Sequence, residues 1–140
     1  MRVTVGAVAC AVALAIAPIA LAQQNVGLGK YEFHSKCASC HGTSGKGDGP
    51  MSKFLNKAPA DLTTLARRNG GAFPRQLIWQ TIDGRPAEEG PHGSREMPIW
   101  GQEYRMEILR ATKSRSAGPE QYVAGRIEAL LEYLASIQVK

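Results

Sequence analysis

Two thiols separated by two residues and followed at once by an imidazole, Cys37-Ala38-Ser39-Cys40-His41, carry the most specific chemistry in this chain. Three chemistries use such residues. A Cys-x-x-Cys pair can be a thiol–disulfide redox site, but that site sits in a βαβ surround, and none is legible here. It can be half of a zinc site, yet there is no second cysteine pair and no His-x-His spacing to complete it, although His34 and His92 are available. The third is covalent attachment of a c-type haem. On a helix the two sulfurs lie about one turn apart, spaced to add to the two vinyl groups as thioethers. His41 then falls beneath the iron as its proximal ligand. This third chemistry fits all five residues, so haem c, bound through Cys37 and Cys40, is the expected cofactor.

Haem iron takes a second axial ligand or stays open. Met51, Met97, Met106, His34 and His92 are the candidates. Met97 lies at the end of a long polar loop, Arg85 to Glu96, and Pro98 stiffens the chain just beyond it. That places a thioether where it can swing onto iron, so Met97 is the expected partner of His41. Met106 falls inside a helical pattern and reads as core packing. Met51 follows the glycine loop too closely to reach the far haem face. His92 is the rival in the same loop. Trp79, Arg85 and Trp100 are secondary candidates for holding the propionates, the two indoles reading equally well as core.

These residues need elements to position them, and the hydropathy pattern supplies helices. Gly29, Phe33 and Cys37 recur every fourth residue, predicting a helix from about Val26 to Cys40. Gly42 to Pro59 is rich in Gly and Lys and reads as irregular. Asp61 can cap a short helix through Arg68. Pro74 opens a helix carrying Leu77, Ile78 and Ile82, which Gly84 stops. A further helix starts near Trp100, with Tyr104 and Ile108 in line. The clearest opens at Pro119 and carries Val123, Ile127, Leu130, Leu134 and Ile137 in a 4-3-4-3 spacing. No segment alternates as a strand would. The fold class read from this pattern is all-α.

The chain has 140 residues, 44% of them apolar and 21% charged, which excludes a disordered chain and a multi-span membrane protein. Its first part is a leader. Met1-Arg2 is followed by the uncharged run Val3 to Ala22, ending in Ala20-Leu21-Ala22 ahead of polar Gln23-Gln24-Asn25. This is the layout of a cleaved secretory signal peptide, predicting a signal over 1–22, a mature domain over 23–140 and export to the periplasm. Cys10 leaves with the leader, so the two remaining cysteines are those of the haem motif. Aromatics make up only 6% of the chain, and a haem plate would supply the large flat group missing from the core. The mature chain stays modestly basic with no long basic run, so nucleic acid is not an expected partner.

Taken together, the motif, the helical punctuation and the final amphipathic helix resemble a class I (mitochondrial-type) monohaem cytochrome c of a bacterial periplasm. The resemblance covers Val26 to Gln138. It implies several helices wrapped around one covalently attached haem. It also implies a crossing of the first and last helices at a glycine–aromatic contact, for which Gly29 and Phe33 match one side and Leu130 and Tyr133 the other. The segment from Gly42 to Pro50, Gly45-Lys46-Gly47-Asp48-Gly49-Pro50 included, is similar to a common bacterial subgroup. There a proline carbonyl accepts the Nδ1–H of the proximal histidine. Pro50 is the first choice for it here and Pro59 the second. The segment Thr112 to Gly118 is longer than in the smallest members.

The expected function is one-electron transfer rather than catalysis, because iron ligated by both His41 and Met97 has no place for substrate. A quinol-oxidising complex or a dehydrogenase would be the donor and an oxidase or reductase the acceptor, met through brief, charge-guided docking of a soluble protein. The competing classes are a haem-bearing subunit of a periplasmic oxidoreductase, a haem peroxidase and a gas sensor, the last two needing an open or weakly held iron position.

Overall fold

The computed structural model describes residues 25–84, 97–112 and 118–139. The leader, Arg85 and His92 lie outside the described residues. Among the described residues five helices carry the fold. Helix α1 spans 25–41 as one continuous rod: residues 25–32, a π-helical turn at Phe33–Cys37 and a last turn at Ala38–His41. Short 3₁₀ turns follow at Ser52–Phe54 and Leu62–Thr64, the second running into α2, Leu65–Arg68. Then come α3, Arg75–Asp83; α4, Trp100–Thr112; and α5, Pro119–Ser136. Among the described residues there is no strand, and the fold is all-α as the sequence pattern requires.

The ends of these elements follow from local chemistry. Asp61 caps its turn by accepting from the Thr63 N–H at 2.8 Å and the Thr63 hydroxyl at 2.6 Å. Gly84 closes α3 in the left-handed region, φ 79°, where its N–H reaches the Gln80 carbonyl at 2.9 Å. Pro119 takes the first position of α5, where its missing N–H costs nothing.

The core is the meeting of α1, α3, α4 and α5. Helix α5 buries Val123, Ile127, Leu130 and Leu134 of the predicted stripe, together with Leu131 and Tyr133, while Ile137, the last predicted member, is half-buried just past the helix end. Phe33, Ile82 and Tyr104 come to it from the other three helices. Ile78 is half-buried and Ile82 is buried, but Leu77 is exposed, so the apolar face of α3 is narrower than the sequence suggests. The first and last helices cross at Gly29, Phe33 and Tyr133 as expected, with Ala129 rather than Leu130 facing the glycine. A Cβ on Gly29 would stand 1.9 Å from the Ala129 carbonyl oxygen, so only glycine permits this approach. The Phe33 and Tyr133 rings meet beside it at 5.2 Å between centroids. Gln138, just past α5, ties the C-terminal end to the α2 region: its amide donates to the Leu62 carbonyl at 2.8 Å, and its oxygen accepts from the Ala66 N–H at 2.9 Å.

Candidate haem-attachment site

The site is built on the last turns of α1. A helix ends with four backbone carbonyls that have no partner within it. Here those of Ala38, Ser39, Cys40 and His41 each find one in the following loop. Gly42 N–H donates to Ala38 at 2.9 Å, Met51 to Ser39 at 2.9 Å, Gly49 to Cys40 at 3.1 Å and Gly47 to His41 at 2.8 Å. The glycine-rich segment is therefore a fold-back cap that fixes the backbone of the Cys-x-x-Cys-His motif. Gly49 must be glycine, since a Cβ there would stand 2.4 Å from the Ser39 carbonyl oxygen.

Cys37 and Cys40 lie close together at this helix end, both half-buried and not joined as a disulfide. Burial, reinforced by the charge of Glu32, pushes the Cys37 thiol up to about 12. His41 is half-buried, and its Nδ1–H donates to the Ala60 carbonyl at 3.0 Å. Burial pulls the imidazole below its ordinary range and the Ala60 bond works in the opposite direction. With Nδ1 engaged by the Ala60 carbonyl, Nε2 is the ring nitrogen left to act as a ligand.

The partner of Nδ1 corrects one expectation: it is neither Pro50 nor Pro59, but Ala60. The Pro59 carbonyl is turned toward Gly47, 2.3 Å from where a Cβ would be, and the next carbonyl along the chain faces His41. Pro50 belongs to the segment that folds back over Ser39 and Cys40.

Met97 stands three residues before α4, half-buried and packed against the same apolar cluster as Cys37. Leu62, Phe73, Ile78, Trp79 and Trp100 are further half-buried apolar groups on that cluster. Met51 and Met106 are 45% and 39% exposed, so Met106 is not the core residue its helical position suggests. His34 is exposed on α1. Among the described residues no cluster of His, Cys, Asp and Glu could hold a metal ion by itself. Two thiols and an imidazole on one helix end suit a macrocycle that brings its own four equatorial nitrogens and needs only thioether anchors and axial ligands.

Residues 26–138 match the Cytochrome c family profile. The chain belongs to the cytochrome c family. Haem-based electron transfer is the general business of that family, and Cys37 and Cys40 are the residues of this chain placed to hold haem c covalently. No curated protein and no solved structure matches the chain.

The sequence reading missed a polar network behind this helix end. Glu32, one turn before Cys37, is only 1% exposed and accepts from the Tyr104 hydroxyl at 2.9 Å. It pairs with Arg126 and lies 3.7 Å from the Lys36 ammonium. Lys36 continues to Glu107 at 2.7 Å, and Tyr122 closes the circuit by donating to Glu107 at 2.7 Å. The only signal in the sequence was the i, i+4 spacing of Glu32 and Lys36, which ordinarily describes a solvated helix face.

Proposed function

We propose that this cytochrome c is a one-electron carrier with a single haem whose iron is held by His41 and Met97. The observation that carries the reading is the His41 Nδ1–H bond to the Ala60 carbonyl, beside two thiols on the same helix end. That bond sets the tautomer, aims Nε2 and raises the ring's donor strength. Cys37 and Cys40 would anchor the group as thioethers, and a haem bound there supplies reversible one-electron redox at its iron. Met97, on the cluster that includes Cys37, is the residue best placed to add a thioether ligand, which favours ferrous iron. Filling both axial positions from the protein leaves none for substrate and favours carrier over peroxidase or gas sensor.

The leader pattern of residues 1–22 supports export to the periplasm. There the donor would be a quinol-oxidising complex or a dehydrogenase and the acceptor an oxidase or reductase. No described helix is long and apolar enough to cross a membrane.

The test is Met97→Ala in the haem-loaded protein. Covalent haem should survive, because Cys37, Cys40 and His41 are untouched. The ferric near-infrared band from sulfur-to-iron charge transfer should vanish, the ferrous protein should bind CO, and the potential should fall. Retention of that band in Met97→Ala would remove Met97 as the ligand. Its absence from the wild type would remove the carrier reading with it.

A further inference from the structure

The polar network is built from four charges at the crossing of α1, α4 and α5: Glu32 and Glu107 against Lys36 and Arg126. Their burial is unequal. The Glu32 side chain is 1% exposed, Arg126 and Lys36 are 22% and 23%, and Glu107 is 42%. Glu32 is the deep member, and it is over-determined. Tyr104, itself fully buried, donates one hydrogen bond to it, Arg126 grips it, and Lys36 approaches from the next turn while lying over the Tyr104 ring at 4.4 Å. Burying a carboxylate among apolar helices costs more than a surface ion pair returns, so a network solely for stability would be a poor solution. Its location suggests another role. The π turn at Phe33–Cys37 winds the chain so that residues four and five apart share a face, setting Lys36 and Cys37 over Glu32. Tyr104 packs in the same cluster as Cys37 and Phe33. The Glu32 charge is felt at the Cys37 sulfur, where it opposes formation of a second negative charge.

We propose that Glu32 is a potential-setting residue, its buried carboxylate placed one π turn behind the Cys37 attachment point so as to favour the oxidised, more positive iron. The inference rests on haem being attached at Cys37, as argued above. Reduction adds one electron to the iron site, and a fixed anion in a region of low dielectric opposes that added charge. Arg126 and Lys36 make the anion affordable and partly offset it, so the field at the iron depends on the balance of the network. Glu107, closer to water, is screened and contributes less.

The experiment is a spectroelectrochemical titration of haem-loaded wild type, Glu32→Gln, Arg126→Gln, the Glu32→Gln/Arg126→Gln double variant and Glu107→Gln. Glu32→Gln should raise the midpoint potential, Arg126→Gln should lower it, and the double variant should return toward wild type. Glu107→Gln should move it upward by less than Glu32→Gln. Optical spectra and haem-attachment assays on each protein should be unchanged. A Glu32→Gln shift that is absent, downward or no larger than that of Glu107→Gln overturns the proposal. So do Glu32 and Arg126 variants shifting the same way, the mark of a general packing lesion. If Glu32→Gln alone does not fold, the step from Arg126→Gln to the double variant reads the same charge, and it must be upward. A wild type without covalent haem would instead refute the attachment reading, a result visible before any titration.

Discussion

Replacing Gly29 with alanine tests the geometry that holds the haem-bearing helix in place. The added Cβ would lie 1.9 Å from the Ala129 oxygen, 2.5 Å from its carbonyl carbon and 2.9 Å from the Tyr133 Cβ. The first two neighbours are backbone, so no rotamer change relieves the clash. The helices must separate by about 1 Å for the closest contact to reach even 3.0 Å, loosening Phe33 against Tyr133. Overpacking costs roughly 1–3 kcal/mol, occasionally more, and a backbone–backbone clash belongs at about 3 kcal/mol. Alanine returns about 1 kcal/mol in helix propensity. The net loss is therefore about 2 kcal/mol, or roughly 8 °C in Tm for a domain of this size. The matched control is Gly125→Ala in α5, where a Cβ meets nothing within 4 Å and propensity should stabilise by up to about 1 kcal/mol. Thermal and urea unfolding of the haem-loaded proteins give both values. If Gly29→Ala is as stable as Gly125→Ala, the two helices do not cross at backbone contact and the reasoning fails.

Three further outcomes are expected. Met106→Ala, removing a side chain 39% exposed, should cost under about 1 kcal/mol in urea unfolding and leave the optical spectrum unchanged, in contrast to Met97→Ala. The hydrogen bonds from Thr63 hold the Asp61 carboxyl below its usual range, so its stabilisation is full above the ordinary carboxylate value and is lost as pH falls through the lower folded one. Asp61→Asn keeps a capping oxygen but has nothing to protonate, so its urea midpoint should fall less than that of wild type below about pH 4. Gly49→Ala, whose Cβ would press on the Ser39 and Cys40 backbone, should lower thermal stability and the yield of covalently loaded protein, measured by haem absorbance per mole of chain.

The sequence made legible whatever was encoded locally. The Cys-x-x-Cys-His residues state their chemistry by type and order. Asp61, Gly84 and Pro119 end or begin their helices as expected because capping depends on a few adjacent residues. The stripe of α5 is buried because a 3.6-residue period leaves an apolar face little alternative. What the sequence did not disclose depends on which distant segments meet. Glu32 reads as a solvated acid until Arg126, 94 positions away in α5, is brought against it. The π turn has no propensity signature. The choice of Ala60 over Pro59 is a matter of one residue in how the chain passes Gly47. Met106 is exposed because a position inside a helix fixes its spacing but not which face the tertiary packing covers.

The fold-back loop links these two kinds of information. Its glycines are readable as punctuation, but their purpose emerges only from the contacts. The N–H groups of Gly42, Gly47, Gly49 and Met51 satisfy the four carbonyls at the end of α1, which fixes where the loop must run. Leu62 N–H then donates to the Gly45 carbonyl at 2.7 Å, anchoring the incoming Pro59–Leu62 segment to that loop. Because Gly47 has no side chain, the Pro59 carbonyl can press against it, and the following Ala60 carbonyl is delivered to His41. The same short segment thus terminates the helix that carries both cysteines and holds the acceptor that orients the imidazole. An alanine at Gly47, at φ 82° and with its Cβ 2.3 Å from the Pro59 oxygen, would disturb the helix end and the His41 bond together. The cysteines of the attachment motif and the His41 ring are in this way held by one piece of backbone, and a lesion there should disturb both while leaving the α4–α5 packing in place.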